Sequence, residues 1–253
     1  MAFGDNFRHV SSFNSANSCS FLQLFNSAIE EAVIKDCSVP HAQSFAPSSF
    51  YCDRKLWFRI RGVNPDTPTT IDTYGEFIKA VGTACHIWVQ SLLKAKLGED
   101  WIDVEKYLKS ISVPYEYLCT KDGYETHVEV KDPPFRYSVD GLIRFNNTIY
   151  LLEIKSLEHS SFETIFEPRD KDIAQTNAYQ SLLYIEDILY VYVDRLTGSL
   201  KCFEHRNSDI SYDMLVEKCR EIMRLADCRI APPRSNDKNC CSMCEYNKKC
   251  KEW

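Results

Sequence analysis

Two stretches that read as strands, residues 137–145 and 148–155, flank the pair Asn146-Asn147. No other feature restricts the fold so tightly. Asparagine tolerates the positive φ that a two-residue hairpin turn demands, so the pattern predicts a hairpin with Asn146-Asn147 as its turn. Residues that pair across it must then have numbers summing to 293, which sets Phe145 opposite Thr148, Leu142 opposite Leu151 and Asp140 opposite Glu153. Two carboxylates facing each other on a sheet repel. Such a pairing is expected where a cation lies between them, and an all-oxygen pair suits a hard divalent metal. Lys155 is two residues beyond Glu153, hence on the same face and roughly 7 Å away. Acid, acid and lysine on one face can activate water and stabilise charge on a phosphate. The same residues also suit a solvated hairpin face of paired charges.

The remaining pattern supplies the elements around this hairpin. Residues 1–19, rich in Ser, Asn and Phe, read as an arm or a loop draped on the domain. A helix is predicted over 20–36, with Leu22, Phe25, Ile29 and Val33 on one stripe. Pro47-Ser48-Ser49 marks a helix start for 47–61. Residues 75–97 form a strong helical pattern, ended by Gly98, whose apolar stripe is Phe77, Val81, Ala84, Trp88 and Leu92. Tyr124–Val130 alternates as a strand. Residues 171–185 and 209–227 read as helices, and Ile188–Asp194 and Leu200–His205 as a second hairpin around Thr197-Gly198. The order α, β-meander, α, β, α predicts one α/β core with helical flanks.

Cysteine usage decides the compartment. The chain of 253 residues has 12 Cys, about half the density of a secreted disulfide scaffold. Met1–Val10 lacks the apolar core of a signal peptide. The longest clearly apolar run, Ile188–Val193, is far short of the ~20 residues that span a bilayer. An intracellular, cytoplasmic or DNA-associated protein is expected, with no membrane segment. Cys240, Cys241, Cys244 and Cys250 cluster near the C-terminal end, while the other eight cysteines are scattered singly. The net charge of −6 argues against bulk coating of nucleic acid. Its distribution is uneven, however: residues 52–61 and 229–253 each carry +3, leaving −12 for the rest.

Val139-Asp140-Gly141 followed by Leu151-Leu152-Glu153-Ile154-Lys155 resembles the PD-(D/E)XK nuclease superfamily. Three further segments resemble its RecB-like branch. Gly82-x3-His86 matches that branch's helix motif, and Gln175-x3-Tyr179 matches its Gln-x3-Tyr motif, with each pair on one helical face. Cys241-x2-Cys244-x5-Cys250 together with the distant Cys52 resembles the ligand pattern of RecB-like nucleases that hold a 4Fe–4S cluster. Those include the CRISPR-associated RecB-like exonucleases and the nuclease domain of AddB. Four thiolates also suit tetrahedral zinc. Cys240 in place of Cys52 would make a local four-cysteine zinc knot, although a zinc ribbon normally shows two Cys-x2-Cys knuckles.

The resemblance implies a restriction-endonuclease-like α/β core, a mixed sheet flanked by helices, with an Fe–S-stapled C-terminal collar. It implies residues 47–253 as the nuclease domain and leaves 1–46 as an extension of unknown role. Asp140, Glu153 and Lys155 would be catalytic. His86, Asp140, Glu153 and the Ile154 carbonyl would bind Mg²⁺ or Mn²⁺. Gln175 and Tyr179, with Arg54 and Lys55 of the first basic segment, would contact DNA, and Trp57, Phe58 and Trp253 would be available for base stacking. The implied activity is exonucleolytic, 5′→3′ on single-stranded DNA ends, in recombination, replication, repair or CRISPR-type processing. Expected partners are a helicase, a recombinase or a CRISPR integration assembly. Two alternatives stand beside it: a processing endonuclease within a larger complex, and a noncatalytic Fe–S or zinc DNA-binding scaffold.

Overall fold

A computed structural model describes residues 43–66, 73–111, 115, 117–121, 125–209, 211–242 and 244–253, with a few positions between 23 and 31. The arm at 1–19 and most of the helix expected at 20–36 lie outside the described residues. By internal contacts the chain divides into one unit of Met1–Val39 with Thr67–Phe77 and another of Pro40–Asp66 with Ile78–Trp253. All of the described strands lie in the second unit.

After a 3-10 turn at Pro47–Ser49, the elements run α1 (Asp53–Ile60), α2 (Thr73–Leu97), β1 (Trp101–Ile102) and α3 (Val104–Ser110). Next come β2 (Tyr117–Lys121), β3 (Glu125–Val130), β4 (Phe135–Val139), β5 (Gly141–Phe145) and β6 (Thr148–Leu157). The chain continues through α4 (His159–Thr164), α5 (Asp170–Leu183), β7 (Asp187–Asp194) and β8 (Leu200–Arg206). It finishes with α6 (Tyr212–Asp227), α7 (Lys238–Ser242) and α8 (Asn247–Glu252). A five-stranded sheet has the order β1-β5-β6-β7-β8, and a three-stranded sheet the order β2-β3-β4. Among the described strands only β6 and β7 pair in parallel, with one further parallel bridge between Phe45 and Phe135. Among the described residues no helix is long and apolar enough to cross a membrane.

The hairpin forms as the asparagines dictate. Asn146 and Asn147 have φ of 48° and 63°, and Phe145 pairs with Thr148, Leu142 with Leu151. The strand expected over 137–145 is divided, however. Val139 pairs with Thr126 in the small sheet, while Gly141 pairs with Leu152 in the large one. Asp140 is therefore the point at which the chain leaves one sheet for the other. It belongs to neither ladder, which frees its carboxylate to reach into the joint.

The two faces of the large sheet are packed differently. Leu152, Ile154, Val191 and Val193 form one face, covered by Val89 of α2 with Cys85 and Leu93 beside it. Leu151, Leu157, Tyr190 and Tyr192 belong to the main core with Leu182 of α5, Cys219 and Ile222 of α6, and Trp57 and Phe58 of α1. Trp57 and Phe58 are fully buried, each side chain stabilising the fold by roughly 1.5–3 kcal/mol. Phe45, just ahead of the expected domain start, is also fully buried, and its N–H donates to the Pro134 carbonyl at 2.7 Å.

The expected stripe of α2 does not face the core. Trp88 and Leu92 are 43% and 54% exposed. The face carrying Gly82, Cys85, His86 and Val89 lies on the sheet instead. Alternation along β6 then sends Glu153 and Lys155 to the side of α5, opposite Leu152 and Ile154.

Candidate active site and cysteine collar

Asp140, at the joint between the sheets, is gripped from three directions. Its Oδ2 accepts a hydrogen bond from the Ile154 N–H at 2.8 Å, and its Oδ1 lies 3.1 Å from His86 Nδ1. Gln90, one turn beyond His86 on α2, donates its Nε2 to the Asp140 carbonyl at 2.7 Å. That contact was invisible in the sequence, although Gln90 continues the i, i+4 row of Gly82 and His86. Glu153 on β6 is almost fully buried, and its Oε1 lies 2.5 Å from Lys155 Nζ. Lys155 in turn donates to Gln175 Oε1 at 3.1 Å, and Gln175 Nε2 donates to the Tyr179 hydroxyl at 3.5 Å. The contacts thus form two runs, His86–Asp140–Ile154 and Glu153–Lys155–Gln175–Tyr179, which adjoin at Glu153-Ile154 on β6.

Asp172 on α5 joins this group, again unforeseen. It is buried, accepting from Arg169 Nε at 2.6 Å and from the Tyr192 hydroxyl at 2.8 Å. Three buried carboxylates, Asp140, Glu153 and Asp172, therefore lie close together in a medium that penalises charge. Burial, reinforced by Asp140, pushes the Glu153 carboxyl up to about 7 against the opposing pull of Lys155. Burial alone would depress Lys155, but Glu153, Asp172 and Asp140 outweigh it and hold the ammonium above its ordinary range. Burial likewise opposes charge on His86, and the hydrogen bond to Asp140 overcomes it, so the imidazole is raised.

Such a group fits a hard divalent cation. Its donors are carboxylate oxygens and one imidazole, and its buried acids repel one another unless a positive charge lies among them. Among the described residues no three His, Cys, Asp or Glu side chains close on a metal position. Glu153 is turned to Lys155 and Asp140 to His86, so ion pairs occupy the oxygens that a metal would use.

The cysteines border one space, although among the described residues no three of them close on a metal position either. Cys52, at the start of α1, and Cys241, Cys244 and Cys250 line one cavity of about 380 Å³, with Cys240 also on its wall. Burial pushes the Cys52 and Cys244 thiols up, and neighbouring cysteines add to the shift. As thiolates, cysteines suit a thiophilic metal or an iron–sulfur cluster.

Around this cavity the basic segment acts as a joint. Arg54 is buried, donating Nε to the Pro232 carbonyl at 2.6 Å and Nη1 to the Cys250 carbonyl at 3.3 Å. Lys55 Nζ lies 3.6 Å from Glu245 and donates to the Tyr51 hydroxyl at 3.3 Å. The Arg61 guanidinium lies over the Trp57 and Trp253 rings, 4.7 and 5.0 Å from their centroids. Asp66 accepts from the N–H groups of Lys248 and Lys249 at 2.6 and 3.2 Å, capping α8 from a distant loop. The two basic segments come together as expected, but Arg54 is directed into the contact between them. Trp57 and Phe58, expected to offer stacking surfaces, are core residues with no exposed face.

The architecture is the expected α/β one, a mixed central sheet flanked by helices, with Asp140 where the large sheet meets the small one and Glu153 and Lys155 on β6. No family model matches the chain, and no curated protein does. Among solved structures it is similar to SSO0001, with 14% identity and a TM-score of 0.47 over 88% of this chain and 94% of that one. It is also similar to an alkaline exonuclease, LHK-Exo, from Laribacter hongkongensis, with 14% identity and a TM-score of 0.42 over 75% and 90%. The complex of LHK-Exo with dAMP gives 15% identity and a TM-score of 0.40 over the same shares. At such identities and scores, the chemistry rests on the residues of the site.

Proposed function

We propose that this protein is a metal-dependent deoxyribonuclease acting on single-stranded DNA ends, with exonucleolytic 5′→3′ hydrolysis of phosphodiester bonds. The observation that carries the reading is the buried pair Asp140 and Glu153 with the half-buried Lys155, which contacts Glu153 and Gln175. His86, Asp140, Glu153 and the Ile154 carbonyl would hold Mg²⁺ or Mn²⁺. The bound cation supplies acidification of water and neutralisation of phosphate charge. Lys155, aimed by Gln175, orients the nucleophilic water and offsets charge developing on the phosphate. Gln175 and Tyr179 position the strand. Asp172 acts at one remove, fixing the first turn of α5 to Tyr192 of β7.

Cys52, Cys241, Cys244 and Cys250, which line one cavity, would hold a 4Fe–4S cluster. The cluster would staple α1 to the C-terminal segment across some 200 residues of chain, and its binding energy would be folding energy. Processing of DNA ends alongside a helicase, a recombinase or a CRISPR-type integration assembly is the setting that such an activity fits.

The test compares end-labelled linear and closed circular single-stranded DNA incubated with Mn²⁺ and either wild type or Glu153→Ala. Wild type should shorten the linear strand and spare the circle, and the variant should do neither. Equal degradation by both proteins sinks the site assignment, while cutting of the circle replaces the exonuclease with an endonuclease.

A further inference from the structure

A second cavity, of about 590 Å³, opens beside Lys155 and Gln175. This volume falls within the range of sites that enclose small ligands. Arg169 and Lys171, at the start of α5, line its catalytic side. The opposite side comes from the cysteine-bearing segment, through Asn239 and Cys240 of α7. Tyr51 and Cys240 also border the cavity among the cysteines, so the two spaces share a wall.

The lining holds three cations, Lys155, Arg169 and Lys171, and three carboxylates, Asp170, Asp172 and Asp237. The Asp172 carboxylate is engaged by Arg169 and Tyr192. The Asp237 carboxylate accepts from the N–H groups of Asn239 and Cys240 at 2.9 and 3.1 Å, as the cap of α7. Lys171 is exposed and lines the same cavity. Arg169 is engaged by Asp172 and Lys155 by Glu153, which leaves Lys171, next to the exposed Asp170, as the solvent-facing cation of the lining, with the Tyr51 ring bordering the same cavity. A cation and an aromatic ring are the surfaces that a phosphate and a base use.

We propose that this cavity is the subsite for the nucleotide adjoining the scissile phosphate of a single strand, with the cysteine-bearing segment at residues 237–240 as its outer wall. The proposal rests on the nuclease reading and extends it. Lys171 takes the phosphate, Asn239 supplies an uncharged polar wall, and the collar holds that wall in place. The cysteine centre is then part of how substrate is held as well as a structural staple.

The test measures binding of a short labelled oligothymidylate to the Glu153→Gln protein by fluorescence anisotropy over a range of salt concentrations. Adding Lys171→Gln should weaken binding roughly fivefold and flatten the slope of log K against log salt by about 0.7, the value for one phosphate contact on a single strand. Adding Asn239→Asp should weaken it further than Lys171→Gln does. Lys106→Gln, on the exposed side of α3, should change neither quantity. Iron or zinc content and thermal midpoint report whether the wall has moved. If Asn239→Asp loses metal, Lys171→Gln, outside that segment, carries the decision. Lys171→Gln with unaltered affinity and slope overturns the subsite while leaving the nuclease reading intact. A parent protein that neither binds the strand nor, as wild type, cuts it removes both.

Discussion

Arg54 separates two accounts of the first basic segment, and its replacement by Met distinguishes them. Methionine keeps much of the apolar stem while deleting the guanidinium. The structure gives that guanidinium two carbonyl partners, Pro232 at 2.6 Å and Cys250 at 3.3 Å, in a setting where the residue is 8% exposed. Hydrogen bonds to a charged donor contribute about 1.5–3 kcal/mol each, and the longer one belongs at the low end. The loss should therefore be about 3 kcal/mol, a large share of the stability of an ordinary domain. In a protein of this size that corresponds to a fall in thermal midpoint of about 6–12 °C. Thermal and urea melts of the intact chain measure it directly. Single-strand affinity, measured well below both midpoints, should be unchanged, and so should its salt dependence. A midpoint within about 2 °C of wild type, combined with weaker binding and a flatter salt slope, would refute the argument and return Arg54 to the DNA-contact role.

Other perturbations probe separate joints. Asp66→Ala removes the distant cap of α8, and should cost about 1–2 kcal/mol and speed loss of metal from the cysteines to a chelator. Gly141→Ala places a methyl 2.7 Å from Trp101 Cη2, so the ring must shift. A loss of about 1–3 kcal/mol with altered tryptophan fluorescence is expected. Gly82→Ala, whose methyl would meet Ser156 Oγ at an ordinary 3.5 Å, should instead gain about 0.5–1 kcal/mol from helix propensity. His159 Nδ1 lies 2.7 Å from Asp194, and that hydrogen bond raises the imidazole above its ordinary 6.5. Because the folded value exceeds the unfolded one, the contribution is complete below about 6.5 and fades as pH rises through the raised value. The midpoint difference between wild type and His159→Ala should shrink from about pH 6 to about pH 9, and a difference that grows would contradict the pairing.

Local rules carried the sequence reading a long way. Asn146-Asn147 and the alternation around them were enough to fix the hairpin, its register and the approach of Asp140 to Glu153. The break of the first strand at Asp140 was hidden because both halves are extended, and only pairing partners distant in sequence divide them between two sheets. The reversal of α2 has a similar cause. That helix carries apolar residues on two sides, and periodicity cannot say which side the sheet will take. Trp88 lost that competition to Val89. Charged residues misled for a different reason. Arg54 lies in a basic run that reads as a surface, and its burial depends on carbonyls of Pro232 and Cys250 nearly two hundred residues away. Asp66 and Asp172 were likewise silent, since a cap or a buried acceptor is defined by its partners. That Cys241, Cys244 and Cys250 line one cavity was legible because their spacing is local, whereas Cys52 came only by resemblance.

The central claim is that the carboxylates at the meeting of the two sheets form a divalent-cation site that cuts DNA. Manganese binding followed by electron paramagnetic resonance, on the same samples assayed for cutting of an end-labelled single strand, tests it most directly. Wild type should bind Mn²⁺ at this site and degrade the strand, whereas Asp140→Asn and Glu153→Gln should lose both together while keeping the wild-type thermal midpoint or exceeding it. Undiminished Mn²⁺ binding and undiminished cutting in the two variants would contradict the account.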